Sequence, residues 1–260
     1  MPKFAANLTM MFNEVPFLQR FDAAAKAGFT ACEFLFPYDH TPQEVAAALK
    51  GSGMQNVLFN LSPGDWAKGE RGLAGLPGRE AEFRDSVATA ITYAQALGTQ
   101  RLHAMSGLRA QGMTQEDFIA TIVRNLQYAC DQLAPLGITL LIEPINTRDM
   151  PGYQLSLQAD AHDLLARVAR PNLKVQMDFY HVQIMEGDVA TKFRRWQKDI
   201  GHLQIASVPA RHEPDEGELN YPWLFKLLDE LGYDGWVGCE YRPRAGTIDG
   251  LRWLPQNGMP

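Results

Sequence analysis

Cysteine is scarce in this 260-residue chain: Cys32, Cys130 and Cys239 are the only three, and no two form a Cys-x-x-Cys pair. That spacing argues against a disulfide framework and against a thiolate zinc site. The three read as small buried hydrophobes in a reducing compartment. No apolar run approaches the roughly 20 residues that span a bilayer. The opening Met1-Pro-Lys-Phe-Ala-Ala-Asn7 has no apolar segment of signal-peptide length. A cytoplasmic protein without a membrane partner is therefore expected. Basic runs are missing too. A net charge of −6 and a pI near 5.5 speak against an electrostatic grip on nucleic acid. No Gly-x-Gly-x-x-Gly or Walker-type loop follows any apolar run, which disfavours nucleotide binding.

What is present is ordinary globular material, 46% hydrophobic and 21% charged, long enough for one large barrel domain or two small ones. Strand-like runs fall at 4–12, 31–37, 55–61, 101–107, 138–143, 173–178, 200–206 and 236–240. Between them lie helical patterns at 15–27, 41–51, 79–97, 114–134, 156–169, 188–199 and 221–231, with a short closing helix at 247–254 and a frayed tail at 255–260. The helix starts and stops are marked. Thr41-Pro-Gln-Glu44 has the form of a capping box with proline at the first helical position, and Gly28 and Gly98 stand where C-caps belong. An unbroken β/α alternation without a composition break predicts one (β/α)₈ TIM barrel over residues 1–260. The stretch 62–78, with five glycines and two prolines, is too long for a turn and reads as a binding loop or lid.

In such a barrel the chemistry gathers where the strands end. Glu143, Asp178, Gln204 and Glu240 end the last four strand-like runs and lie 35, 26 and 36 residues apart. Each gap is about the length of one strand–helix–strand unit. Three carboxylates and a carboxamide oxygen would share one mouth. Such crowding is costly unless a cation sits among them. Hard oxygen ligands suit Mg²⁺ or Mn²⁺. A divalent ion holding a carbonyl and its neighbouring hydroxyl acidifies the proton between them, and two glutamates could remove and return it. His181 follows Asp178 closely, and Arg211 lies on the loop after the seventh strand. Arg211, His181 or Arg71 would bind a substrate carboxylate. Asn7, Glu33, Asn60 and His103 sit toward the ends of the first four strands, and of these Asn7, Asn60 and His103 are further candidates for binding substrate, whereas His40 and His162 read as surface residues. Trp196, Trp253 and Phe193, if exposed, could support a homo-oligomer.

The chain also resembles the hydroxypyruvate isomerase family, small members of the xylose-isomerase-like barrels, over essentially its whole length. The resemblance rests on Phe4-Ala-Ala-Asn-Leu-Thr-Met-Met-Phe12, Glu33-Phe-Leu-Phe-Pro-Tyr38, Pro63-Gly-Asp-Trp66, Gly69-Glu-Arg-Gly72 and Pro77-Gly-Arg-Glu80. It continues through Ile142-Glu-Pro-Ile-Asn146, Gly201-His-Leu-Gln-Ile-Ala206, Arg211-His-Glu-Pro214, Gly217-Glu-Leu-Asn-Tyr221 and Trp236-Val-Gly-Cys-Glu-Tyr241. It implies interconversion of hydroxypyruvate and 2-hydroxy-3-oxopropanoate with a divalent metal. The acid–base pair carries onto Glu143 and Glu240, and further metal ligands onto Asp178 and Gln204. His181 and Arg211 match positions that handle substrate in related ketose epimerases. Ser207-Val-Pro-Ala210 departs from the commoner Asp-Asn-Pro, and Glu213-Pro-Asp-Glu-Gly217 resembles a branch acting on four-carbon 2-oxo-tetronates. Ile142-Glu-Pro-Ile-Asn146 looks more like the hydroxypyruvate branch, so both substrates stay open. Two other classes remain beside the isomerase. One is a phosphodiester-cleaving barrel of the abasic-site endonuclease kind, which needs many histidines and a cationic track. The other is a barrel that binds a sugar acid without chemistry.

Overall fold

The computed structural model describes residues 1–254; the tail expected at 255–260 lies outside the described residues. Eight parallel strands close into a barrel in sequence order: β1 (Lys3–Asn7), β2 (Ala31–Phe34), β3 (Gln55–Asn60), β4 (Arg101–His103), β5 (Thr139–Ile142), β6 (Leu173–Asp178), β7 (Ile200–Ile205) and β8 (Trp236–Cys239). The ring closes through β1 and β8, where Ala5 pairs with Gly238. Helices α1 (Phe17–Lys26), α2 (Pro42–Ser52), α3 (Glu80–Leu97), α4 (Gln115–Leu133) and α5 (Gln158–Val168) cover the outside of the first half. They are followed by α6 (Phe179–Met185), α7 (Val189–Trp196) and α8 (Tyr221–Glu230). The (β/α)₈ expectation is met. The strands are shorter than their apolar runs, because residues such as Leu35–Pro37 and Ala104–Gly107 continue into the loops above the barrel. The closing helix forms as a 3₁₀ turn at Ile248–Trp253.

Helix ends follow local chemistry. At α2 the Thr41 hydroxyl accepts from the Glu44 amide while Glu44 reaches back to the Thr41 amide, and Gly53 closes the helix in the left-handed conformation. Thr114 and Asp117 make the same reciprocal pair at α4. Helix α6 was not foreseen. It starts directly on Asp178, whose Oδ1 accepts from the Tyr180 amide at 2.9 Å.

Two apolar layers result. A large one lies between barrel and helices, and includes Phe21, Phe34, Phe59, Phe83 and Phe118. A small one, Ala5, Ala31, Val57, Leu58 and Leu141, plugs the barrel interior. Above this plug the interior turns polar, with Glu33, His103, Gln176, His202 and Gln204 all buried. Phe193 is wholly buried, so it cannot serve as an exposed contact aromatic. His162, expected at the surface, is largely covered because its ring stacks on Trp196 at 4.6 Å.

Candidate active site

A cavity of about 1000 Å³ opens above the C-terminal strand ends, and its wall includes Glu143, Gln176, His181, Arg211 and Glu240. Period-2 alternation along the strands explains the convergence. Leu141 plugs the interior and Glu143, two residues on, rises above it. Gln176 precedes Asp178 by the same step, and Gly238 precedes Glu240. Asp178 is registered directly opposite Gln204 on β7. Of the four strand-end residues, Asp178 and Glu240 meet at Arg211, and Glu143 stands beside Asp178, with oxygens of the two within 4.8 Å. Arg211 Nη2 donates to Glu240 Oε1 at 2.8 Å and lies 3.6 Å from Asp178 Oδ2.

This is a crowded set of buried acids. Burial, and then the charges of Glu240 and Asp178, push the Glu143 carboxyl well above the usual carboxylate range. Burial lifts Glu240 to about 8 and Asp178 to about 6, with Arg211 pulling both back. Burial opposes the charge on Arg211, but Glu240, Asp178 and Glu143 outweigh it and hold the guanidinium protonated. His181 Nε2 lies 3.5 Å from Asp178 Oδ2 and 3.8 Å from Glu143 Oε1. Burial and Arg211 hold this imidazole neutral. His103 Nδ1 lies 3.7 Å from Glu143 Oε2, and burial pushes its ring down to about 3.

Among the described residues, Glu143 Oε1 and Asp178 Oδ2 have no hydrogen-bond partner, although both are buried. Glu143, Asp178 and His181 offer atoms that all lie within 4.8 Å of one another, a buried group that could hold a metal ion. A divalent cation of the hard, oxygen-preferring kind fits the orphaned oxygens and the uncompensated acids.

The remaining expected residues divide. His103, Asn60 and Arg71 line the cavity. Arg71 lies flat on Trp66, 3.7 Å from the ring centre, and donates to the Glu70 carbonyl at 2.7 Å. Gln204 lies just beneath, with Nε2 donating to Glu33 Oε1 at 2.7 Å and Oε1 accepting from Gln176 Nε2 at 2.7 Å. Asn7, expected at the substrate, is turned away from it. Its Nδ2 donates to Glu33 at 2.9 Å, and its Oδ1 accepts from the amides of Thr9 and Met10. Both lone pairs of the Asn7 oxygen are taken by backbone amides, which leaves none for a ligand, whereas the Gln204 oxygen accepts a single bond and keeps one free.

Several wall residues escaped sequence reasoning. Gln176 was within reach of it, because it shares the inward face with Asp178. Arg148, Asp149 and Tyr180 also line the cavity and form one network. Tyr180 donates its hydroxyl to Asp149 at 2.6 Å, and Arg148 donates to that same hydroxyl at 3.0 Å. Arg211 adopts a left-handed backbone, φ 58°. That conformation is costly for a side chain of its size and turns the guanidinium inward. The loop is held by the Arg211 amide donating to the Ser207 carbonyl and by the Arg242 amide donating to the Arg211 carbonyl, both at 2.9 Å.

Comparison with known proteins gives a consistent set of likenesses. The family described as xylose isomerase-like TIM barrel matches residues 21–257. A 2-oxo-tetronate isomerase from Cupriavidus necator is 58% identical over 254 residues, 98% of each chain. Hydroxypyruvate isomerase from Escherichia coli is 48% identical over the same share. A crystal structure from Brucella melitensis, described as an AP endonuclease of family 2, superposes with a TM-score of 0.96 at 56% identity, covering 97% of this chain and 98% of the other.

Proposed function

Since the chain belongs to the xylose isomerase-like TIM-barrel family and is an isomerase of small oxo-acids, we propose that it interconverts a 2-oxo-tetronate and its 3-oxo isomer. The observation that carries the chemistry is the burial of two glutamates, Glu143 and Glu240, on either side of Asp178 in one cavity. The four-carbon substrate is favoured by the higher identity to the Cupriavidus necator 2-oxo-tetronate isomerase and by Glu213-Pro-Asp-Glu-Gly217. Hydroxypyruvate is the second reading, supported by the E. coli relative and by Ile142-Glu-Pro-Ile-Asn146. Both substrates place a carboxylate, a carbonyl and an adjacent hydroxyl in a row, so the same residues serve either.

Glu143, Asp178, Gln204 and Glu240 would hold a divalent cation, Mg²⁺ or Mn²⁺ by the hardness of their oxygens. When bound, such a cation polarises the substrate carbonyl and offsets charge on the neighbouring oxygen. The protein's own groups move the protons. One glutamate, ionised, takes the proton from the carbon bearing the hydroxyl, and the electron pair flows to the carbonyl oxygen as an enediolate forms. The other glutamate, carrying a proton, delivers it to the former carbonyl carbon while the hydroxyl proton passes to the second oxygen. Their raised proton affinities suit this division, since two buried acids this close share protons readily. Arg211, whose Nε has no partner among the described residues, holds the substrate carboxylate.

The experiment is proton NMR in D₂O with 2-oxo-tetronate and hydroxypyruvate side by side. Conversion with deuterium gained at the carbon next to the carboxylate is expected, faster for the four-carbon acid. Glu240→Gln should abolish both conversion and exchange while the circular dichroism is retained. Full exchange in that variant would remove Glu240 from the proton path.

A further inference from the structure

The Nδ1 atom of His181 is met by two hydrogen-bond donors from one residue. The Asn146 side-chain Nδ2 lies 2.6 Å away, and the Asn146 backbone amide donates to the same nitrogen at 3.4 Å. The carboxamide of Asn146 cannot turn over. Its Oδ1 accepts from the Asp149 amide at 2.8 Å, and its Nδ2 donates to Asp149 Oδ2 at 3.2 Å. Half a turn would set donor against donor and acceptor against acceptor. Asp149 is fixed in its turn by the Tyr180 hydroxyl at 2.6 Å. Arg148 ties Tyr180 to the Pro209 carbonyl with two bonds of 3.0 Å.

A ring nitrogen facing two donors must accept, so its lone pair is used there. The single proton of the imidazole then sits on Nε2, the nitrogen aimed between Asp178 Oδ2 and Glu143 Oε1. We propose that Asn146 is a positioning residue that fixes His181 in the Nε2–H tautomer, so that His181 meets the substrate as a hydrogen-bond donor and not as a metal ligand. A protonated nitrogen has no lone pair to give a cation. The donor set therefore stays all-oxygen, although His181 Nε2 lies close enough to join it. A donor held there strengthens its bond as negative charge grows on a substrate oxygen. This consequence rests on the proposed isomerisation; the tautomer itself does not.

The test is long-range ¹H–¹⁵N correlation on metal-free, substrate-free protein labelled at histidine, with His181 assigned by its loss in His181→Gln. The wild type should show a bare Nδ1 and a protonated Nε2. Asn146→Asp sets a carboxylate acceptor against Nδ1, so the proton should appear on Nδ1. Asn146→Ala, which keeps only the backbone donor, should show a mixture. In turnover, Asn146→Asp should lower kcat about 10- to 100-fold with a smaller change in KM. A wild type with Nδ1 protonated, or the same tautomer in all three proteins, overturns the assignment. Because the spectrum needs neither substrate nor metal, failure of the isomerase reading would leave it intact.

Discussion

Gly238 has no side chain because the Glu33 carboxylate fills the place a Cβ would take. Glu33 reaches across the barrel interior from β2, accepts from Asn7 and Gln204, and lies 2.6 Å from His202 Nε2. These contacts leave the carboxylate no room to retreat. Gly238→Ala should therefore cost about 1–3 kcal/mol, the usual penalty of overpacking a filled interior. Urea denaturation would read it as a lowered midpoint at unchanged slope. An unaltered midpoint would mean that the carboxylate moves freely.

Removing divalent metal with a chelator should abolish turnover, and Mg²⁺ or Mn²⁺ should restore it. Saturating Mn²⁺, at about 100 times its dissociation constant, should also stabilise the fold by roughly 3 kcal/mol. Asp178→Asn is the informative control, because asparagine can still cap α6 as Asp178 Oδ1 does. The variant should fold normally, yet its melting temperature should no longer respond to Mn²⁺. An undiminished response would exclude Asp178 from the ligand set.

Arg244 joins the loops after β7 and β8. It donates from its backbone amide and from Nε to the buried Glu213, and both its Nη2 bonds fall on Asp215. Arg244→Ala removes the side-chain bond to Glu213 while the backbone amide keeps its two, and should lower the melting temperature. Arg244→Lys should recover little, since an ammonium cannot reproduce the fork. The same loop carries Arg211, so KM should rise in both variants while kcat changes less. Steady-state kinetics beside thermal melts would show the two effects together, and an unchanged KM would uncouple the clasp from the site.

His162 supplies an acid-sensitive element remote from the cavity. Burial against Trp196 pushes its imidazole down to about 4, with Asp199 and Asp163 pulling upward and Arg195 and Lys174 downward. In the unfolded chain the same ring protonates near about pH 6.5. Between those values the unfolded state binds the extra proton, so stability is whole above pH 6.5 and falls as pH drops toward 4. The loss is at most about 3 kcal/mol. His162→Phe keeps the stack without the titration and should flatten this acid limb in melts from pH 7 to 4.5. Parallel curves for the two proteins would assign the limb elsewhere.

The barrel was legible because the strand-like runs alternate with helical patterns, some of them bounded by caps and glycines that fold as they read, as at Thr41, Gly53 and Gly98. Glu143, Asp178 and Glu240 were legible because a two-residue period brings strand-end side chains to one mouth. The same period, applied once more, would have found Gln176. Asn7 shows where the rule fails. Its position matches the others, but Glu33 on the neighbouring strand claims its amide first. The Asn146–Asp149–Tyr180 network lay beyond sequence reasoning, because it depends on the path of a loop and on a partner about thirty residues away. Burial of Phe193 and His162 depends likewise on where α7 packs, which one helix's pattern does not reveal.

The glycine-rich segment between β3 and α3 is riveted at both levels. Leu61 donates to the His103 carbonyl at 2.8 Å, Gly75 donates to the Ser106 carbonyl at 2.8 Å, and Asn125 Nδ2 holds the Ala74 carbonyl at 2.8 Å. Gly72 packs so closely on Met105 that a methyl group would not fit. A flap must swing, and a strip pinned along its inner edge cannot. The inner edge of this segment therefore stays in place, and any change in the width of the entrance on this flank is confined to the tip that carries Trp66 and Arg71. Amide hydrogens of Gly72 and Gly75 should exchange with solvent as slowly as those of the strands beneath, whether or not an oxo-acid is inside.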